Sequence, residues 1–551
     1  MSAYETAPEP SGAHAVAPFQ ALVHSILDSV LSGTLHLALG VALGRLGARL
    51  MHNRHLHWSW AVAGLGLTVL ARPLLGGMFL SAASATVVAA AVGRRRHRED
   101  ITAGADLAEL AAARRTPIDG VRALVGALAA RLGWHGMPGT QGIVGEEEIV
   151  IGLRHNGRPV VIPIGGATGG VHTLTPGAAG SGKTVTLRRI AVQAILRGRG
   201  SIVVDPKGDS ELREELRHAA QAVGKRFIHW TPTGPSVYNP YARGSDTEIA
   251  DRALAGERFT EPHYLRQAQR YLGHAVRALR MAGEEVGLSS LVQHMDPEAL
   301  EQLARRMPAE AANATHGYLD SLTPRQRGEL GGVRDRLAIM AESDVGPWLQ
   351  PRPDGAPAFD LFGALTEGAV VLFDLQADSR PLLAKMLGAA IVQDLQSAIS
   401  TMHRCPVPSV VVIDEFAAIA AEQVAGVFAR ARSAGVSLVL GTQELSDLRL
   451  PGRESLHDAV FGNLTTVIGH RQVVPESAEL LSSLAGTVGV WRTSIHSDGR
   501  HTRSRARQRV VEAERIQSLR PGEAVVTVLD GPRRGTQIAT ILRSPRDRGT
   551  R

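Results

Sequence analysis

Lysine is scarce in this chain of 551 residues: of 60 basic side chains only Lys183, Lys207, Lys225 and Lys385 are lysine, and the rest are arginine. A codon drift toward arginine, alanine and glycine accounts for the bias and makes the surviving lysines worth locating. Cysteine is scarcer still. A single Cys405 excludes a disulfide framework and a thiolate metal cluster, and its place beside an apolar run reads as a packed small hydrophobe. A chain-wide positive excess is missing too, because the net charge of +7 is local. Residues 492–551 carry +8 and the first 491 sum to −1, which confines any polyanion contact to particular surfaces. With 44% hydrophobic and 21% charged residues the chain is not a disordered one, and its length suggests roughly three to four domains.

The N-terminal residues 1–19 lack the basic start of a secretory signal and read as a disordered N-terminus. Residues 20–98 read as a transmembrane region. Leu74–Gly93 is uncharged and long enough to cross ~30 Å of hydrocarbon as a helix. Arg94, Arg95, Arg96 and Arg98 follow at once, which orients everything beyond them toward the cytoplasm. Residues 58–71 and 74–93 are the two expected spans, turning at Arg72-Pro73. Residues 29–44 are a further span or an interfacial helix.

A helical connector is expected over 99–140. Glu147–Ile162 alternates around Asn156-Gly157 as a hairpin with a two-residue turn. From His172 onward short apolar strands alternate with helices, the pattern of an α/β parallel sheet. Expected strands are Ser201–Val204, Arg226–Trp230, Ala369–Leu375, Ser409–Ile413, Val436–Gly441 and Thr465–Ile468. Residues 244–342 interrupt this alternation with helical signals alone: Tyr264–Met281, a helix capped by Asp296 with Pro297 in its first turn, and another begun by Thr323-Pro324. They read as an all-α domain inserted between the two parts, 145–243 and 343–542, of a nucleotide-binding domain, with a basic tail over 543–551.

Gly177-Ala178-Ala179-Gly180-Ser181-Gly182-Lys183-Thr184 satisfies G-x-x-x-x-G-K-[ST] between an apolar stretch and a helical run, the context that phosphate-binding loop requires. Its backbone N–H groups and the helix N-terminus suit phosphates. Lys183 is placed for the β- and γ-phosphates of ATP, where a compact ammonium fits better than a planar fork. Thr184 is placed for Mg²⁺. Val410-Val411-Val412-Ile413 then ends in Asp414-Glu415, with Asp414 for the metal shell and Glu415 for activating the attacking water, which marks a hydrolase. Gln443 at the tip of a third buried strand is a candidate sensor of nucleotide state. Arg471, closing the next strand, is a candidate finger toward a neighbouring subunit's nucleotide.

These residues resemble the coupling ATPases of bacterial conjugation and type IV secretion, the TraG/TraD type within the FtsK/HerA group of RecA-like motors. The matching pieces are His172-Thr-Leu, Gly177–Thr184, Asp205-Pro-Lys-Gly-Asp209, Tyr238-Asn-Pro240, Asp414-Glu415-Phe416, Arg432-Ser-Ala-Gly435, Gly441-Thr-Gln443 and Leu519-Arg-Pro-Gly-Glu523, over about residues 145–530. Ala178-Ala179 and Asp209 are small departures from that family's pattern. The resemblance implies an α/β, RecA-like P-loop ATPase core with an inserted all-α domain and an N-terminal transmembrane helical region. It further implies a homo-hexameric inner-membrane motor that uses ATP and Mg²⁺. Such a motor recruits relaxase-bound single-stranded DNA and delivers it to the channel proteins of a type IV secretion system.

The basic C-terminal region has its own order. Val488–His496 and His501–Val511 flank Ser497-Asp-Gly-Arg500, a hairpin turn signal. Arg503, Arg505, Arg507 and Arg509 alternate on the second strand and so share one face, spaced to track a phosphate backbone at ~6.6 Å. The alternative is an exposed edge strand kept soluble by charge. No aromatic alternates with these arginines, so a base-stacking platform is not indicated on that strand. Two competing functions remain: a double-stranded DNA pump, which usually ends in a further winged-helix module, and a docking platform that binds ATP structurally, which has no use for Glu415.

Overall fold

The computed structural model describes residues 16–53, 56–102, 117, 144–155, 157–166, 169–256, 259, 261–352, 354–402, 407–419, 423–424, 426–448, 454–495 and 501–542. Cys405, nearly all of the expected connector beyond residue 102, the expected hairpin turn at 497–500 and the basic tail lie outside the described residues. The chain divides into two compact units, one of residues 1–134, 155–158 and 488–508 and one of the remainder.

In the first unit, helix α1 (Val16–Asn53) already begins within the stretch expected to be disordered, and it continues through the expected segment 29–44. Arg45 and Arg49 fall in its C-terminal turns, where arginine can reach a membrane surface without ending the helix. Helix α2 (Ser59–Leu70) has only 12 residues, about 18 Å of rise and short of the hydrocarbon thickness. Helix α3 (Arg72–Leu75) and a 3₁₀ turn lead into α4 (Phe79–Thr102). Two stretches here are long and apolar enough to cross a membrane, Leu22–Met51 and Arg72–Arg96. The expected span 58–71 thus coincides with a helix of 12 residues, and the expected segment 29–44 lies inside the longer apolar helix α1.

Helices α1 and α4 meet along small residues. Gly40, Gly44 and Ala48, one per turn, are buried. A Cβ on Gly40 would lie 1.8 Å from Ser84 Oγ, and one on Gly44 would lie 2.6 Å from the Ala85 carbonyl oxygen, so only glycine permits this backbone approach. His36 Nδ1 and Ser81 Oγ, 2.7 Å apart, add a polar link. Contacts of 36 with 81, 40 with 84 and 44 with 88 advance together, so α1 and α4 run parallel. Helix α2 runs antiparallel to α4, with Trp58 against Gly93 and Gly64 against Thr86. The hairpin β12 (Thr487–Ile495) and β13 (His501–Arg509) forms a separate two-stranded sheet.

The second unit is built on an eleven-stranded sheet in the order β2-β1-β15-β14-β11-β3-β10-β9-β4-β8-β5. The strands are β1 (Glu148–Leu153), β2 (Pro159–Pro163), β3 (His172–Pro176), β4 (Gly200–Asp205), β5 (Phe227–Trp230), β8 (Val370–Asp374), β9 (Ser409–Ile413), β10 (Val436–Thr442), β11 (Thr466–Gly469), β14 (Glu523–Val528) and β15 (Gly535–Ile541). From β11 to β5 the pairs are parallel, whereas β14, β15, β1 and β2 pair antiparallel. The parallel strands are aliphatic at successive positions because both faces are covered. Val411 and Ile413 join one buried cluster, and Val410 and Val412 join the other. The hairpin β1–β2 pairs Leu153 with Pro159, a wider closure than the two-residue turn expected at Asn156-Gly157. Helices α5 (Lys183–Leu196) and α6 (Ser210–Ala222) cover the face that buries Val203 and Val412.

Residues 246–341 form six helices, α7 (Asp246–Ala253), α8 (Pro262–Met281), α9 (Leu288–His294), α10 (Pro297–Ala304), α11 (Ala309–Asp320) and α12 (Pro324–Ala341). Asp296 and Thr323 accept N-terminal N–H groups as their sequence positions suggest. Their apolar faces share one buried cluster with the other face of the sheet. The two-residue strands β6 (Val237–Tyr238) and β7 (Ala358–Phe359) pair in parallel beside this junction, followed by α13 (Leu361–Glu367). Tyr238-Asn-Pro240 ties the helices to α14 (Pro381–Thr401). Tyr238 donates to Asp394 at 2.7 Å, Arg252 pairs with Asp394 at 2.9 Å, and Asn239 donates to the Val286 carbonyl at 2.9 Å. Burial pushes the Asp394 carboxyl up to about 6 in spite of Arg252, so this pair fixes geometry more than it adds stability. Helix α14 is apolar and long enough to pass for a span, yet 72% of its apolar window is buried in the protein.

Candidate nucleotide site

The loop between β3 and α5 is shaped by its glycines and by its neighbours on β10 and β11. Gly180 and Gly182 adopt φ of +71° and +106°, which a side chain would resist. Gly177 N–H donates to the Thr442 carbonyl and Ala178 N–H to the Arg471 carbonyl, both at 3.0 Å. Ser181 accepts from Gly522 N–H at 2.8 Å through its carbonyl, so the Leu519-Arg-Pro-Gly522 element closes over the loop. Helix α5 starts at Lys183 and aims its free N–H groups at the same space.

His470 buttresses the loop from below. Its Nδ1 faces the Glu523 carbonyl at 3.0 Å, which makes it the protonated nitrogen, and Nε2 accepts from Thr186 Oγ1 at 2.8 Å. Burial pushes its pKa down to about 4. His172 is held in the same way, accepting Leu438 N–H on Nδ1 and donating from Nε2 to the Phe428 carbonyl, and burial likewise takes it down to about 4.

The acidic pair ends β9, in the strand next but one to β3. Lys183 Nζ lies 3.1 Å from Asp414 Oδ1 and 2.6 Å from Glu415 Oε1. Thr184 Oγ1 lies 3.5 Å from Asp414 Oδ2. Gln443 Nε2 donates to Glu415 Oε1 at 3.0 Å. Glu415 has φ of +48°, a strained setting for a glutamate and of the kind that clusters at functional sites. Burial alone would raise its pKa, but Lys183 above all, with Gln443 and Lys207, holds the carboxyl below the ordinary glutamate range. Gly441 makes room for the pair, since a Cβ there would sit 2.5 Å from Asp414 Oδ1.

A residue given no role by its sequence position completes the cluster. Lys207 Nζ lies 3.2 Å from Glu415 Oε1. Asp205, at the end of β4, accepts the N–H groups of Lys207, Gly208 and Asp209 at 2.7 to 3.0 Å, and Asp209 caps α6 by accepting from Glu211 and Leu212. The Asp-Pro-Lys-Gly-Asp run is thus a fastened loop that presents one lysine. Lys225 has a structural role, donating to the Gly368 carbonyl at 2.7 Å.

A cleft of about 290 Å³ opens between the phosphate loop, Lys207, Glu415, Gln443, Pro521, Gly522 and Ile541. Its chemistry suits a nucleoside triphosphate with Mg²⁺. The Ser181 hydroxyl is buried without a hydrogen bond, and Lys183, 5% exposed, faces two carboxylates. Among the described residues no group of three or more His, Cys, Asp or Glu is gathered for a metal. Arg471 stands two residues past β11 and supports the loop through its carbonyl, while its Nε is buried with no hydrogen-bond partner.

The arginine row is less uniform than its alternation suggests. Arg505 and Arg507 are exposed, whereas Arg509 is engaged by Glu479 and donates to Ser482 Oγ at 2.9 Å. Arg503 lies on β13, and its side chain is outside the described residues. An exposed aromatic, Trp491 (60%), stands on the partner strand β12. Looking only along the arginine strand misses it.

Residues 408–521 match a family described as the TraM recognition site of TraD and TraG. Over that stretch, which contains the acidic pair, Gln443 and the Leu519-Arg-Pro element, the TraG/TraD resemblance is borne out. No curated protein matches the chain in sequence. Among solved structures, the plasmid coupling protein TrwB in complex with the non-hydrolysable GTP analogue GDPNP aligns at TM-score 0.50 and 19% identity, over 67% of this chain and 85% of that one. TrwB with ADP and Mg²⁺ aligns at TM-score 0.48 and 20% identity, over 68% and 85%. VirB4 of Thermoanaerobacter pseudethanolicus aligns at 0.48 and 16%, over 73% and 98%. The first alignment shows a shared fold, the RecA-like α/β architecture expected from the motifs.

Proposed function

We propose that this chain is a membrane-anchored, ATP-hydrolysing coupling protein of conjugative DNA transfer. The observation that carries the reading is the convergence of Lys183, Asp414, Glu415 and Gln443 on one cleft above the phosphate loop. The loop N–H groups and Lys183 would bind phosphate oxygens, and Thr184 with Asp414 would hold Mg²⁺. Bound Mg·ATP supplies a phosphoanhydride open to attack by water. Glu415 takes the proton of that water as general base, and Gln443 orients it. Arg471 acts toward a neighbouring subunit in a homo-hexamer.

The cargo is relaxase-bound DNA, passed as a single strand to type IV secretion channel proteins at the inner membrane. The match to a TraM recognition region supports partners of that class, and the apolar helices α1 and α4 support the anchorage. The hairpin β12–β13 contacts the DNA through Arg503, Arg505 and Arg507, with Arg509 positioned by Glu479. Replacing Arg505 and Arg507 by Ser is expected to weaken single-stranded DNA binding by the full chain and to lower the slope of log affinity against log salt by about 1.4. ATP binding should be retained. An unchanged affinity and slope in a fluorescence-anisotropy titration would remove the hairpin from the DNA path.

A further inference from the structure

One oxygen in the cleft is unusually crowded. Glu415 Oε1 takes Lys183 Nζ at 2.6 Å, Gln443 Nε2 at 3.0 Å and Lys207 Nζ at 3.2 Å. Three donors, two of them ammonium groups, make Oε1 a poor proton acceptor, because each competes for the lone pairs of that one oxygen. Two ammonium groups converging on one oxygen also mark a place built for a more highly charged anion than a single carboxylate. The backbone that carries Lys207 is fastened by the Asp205 carboxylate through three N–H groups, so the side chain starts from a fixed point whether or not it meets Glu415. Although burial favours its neutral form, the Glu415 and Asp414 carboxylates hold its pKa above the ordinary lysine value. It is a cation.

We infer that Lys207 is a second phosphate-binding lysine, specific for the terminal phosphate of a nucleoside triphosphate, and that Glu415 holds its place until nucleotide arrives. The inference rests on the proposed ATP site and deepens it. Lys183, at the start of α5, serves phosphates near the loop. Lys207 comes from β4 on the Glu415 side and reaches only the end of the chain where the base and its water must act. The terminal phosphate displaces the Glu415 carboxylate from both lysines, which frees Oε1 to accept a proton. A diphosphate leaves the Lys207–Glu415 pair intact, so Oε1 stays a weakened base after hydrolysis. Lysine rather than arginine at this position, in a chain with four lysines among 60 basic residues, fits two ammonium groups sharing one small oxyanion.

The test is equilibrium binding of a fluorescent non-hydrolysable ATP analogue and of fluorescent ADP, each with Mg²⁺, to the full chain in detergent. Lys207→Ala should lower affinity for the triphosphate by about 10-fold or more while ADP affinity stays within about twofold. ADP binding also reports that the variant is folded. Lys207→Gln should behave alike, and Glu415→Gln, which loosens both lysines, should raise triphosphate affinity. Equal losses for ATP analogue and ADP in Lys207→Ala, or an unchanged ratio between them, would overturn the inference. Failure of the parent protein to bind either nucleotide would overturn instead the ATP-site reading on which it rests.

Discussion

Single residues carry most of what could be read in advance. The phosphate loop and the Asp414-Glu415 pair were legible because each is a contiguous motif whose backbone geometry follows from its own glycines and strand. Lys207 was visible as a scarce lysine in a family element, but its aim at Glu415 depends on β4 lying beside β9, and no local pattern encodes that neighbourhood. Pro521 and Gly522 were hidden for the same reason, reaching the loop from more than 330 positions away. His172 and His470 carry a prediction of their own. Both are buried neutral, with folded pKa values of about 4 against an unfolded 6.5. Below pH 6.5 the unfolded chain therefore binds protons that the folded one refuses. Stability is full above pH 6.5 and falls as pH drops toward 4, by about 1.4 kcal/mol per pH unit for each histidine. Asp394, raised to about 6, pulls the opposite way over part of that range, so the comparison should be between variants. His470→Gln is expected to show a flatter decline of Tm between pH 6.5 and 5 than the parent, and identical slopes would contradict the assignment.

At the scale of elements, the strands lie where the sequence places them, and the apolar N-terminal helices have other bounds than the expected segments. Strands buried on both faces announce themselves as aliphatic runs, and the expected β4, β5, β8, β9, β10 and β11 lie within a residue or two of the observed ones. Charge-free windows are a poorer guide to helices. Arg45 and Arg49 break a charge-free run that α1 nonetheless continues through to Asn53, and the apolar run 58–71 holds only the 12 residues of α2. The parallel packing of α1 on α4 has a consequence for topology. In the proposed anchorage, with the arginine-rich ends of both helices on the cytoplasmic side, the start of α1 and the turn at Gly76-Gly77 would share the opposite side. In a background with Cys405→Ser, cysteines introduced as Ser25→Cys and Gly77→Cys are expected to react with a membrane-impermeant thiol reagent added outside the inner membrane, and Arg96→Cys is not. Reaction at position 77 but not at 25 would show that α1 does not cross in this sense.

For the whole molecule, the site is a product of strand order rather than of sequence proximity. Residues 177–184, 205–209, 414–415, 443, 470–472 and 521–522 converge because β3, β10, β9, β4 and β11 are neighbours in one sheet. The inserted helices 246–341 interrupt that run without disturbing it, since they pack on the face away from α5 and α6. The chemistry we propose for this arrangement is hydrolysis of Mg·ATP coupled to DNA. The most direct measurement is steady-state ATP turnover by the full chain with and without single-stranded DNA, in the parent and in Glu415→Gln. DNA should stimulate turnover in the parent, and the variant should lose at least about 100-fold in kcat with nucleotide binding retained. Equal turnover in parent and variant, or a parent that binds nucleotide but hydrolyses none with DNA present, would contradict the account.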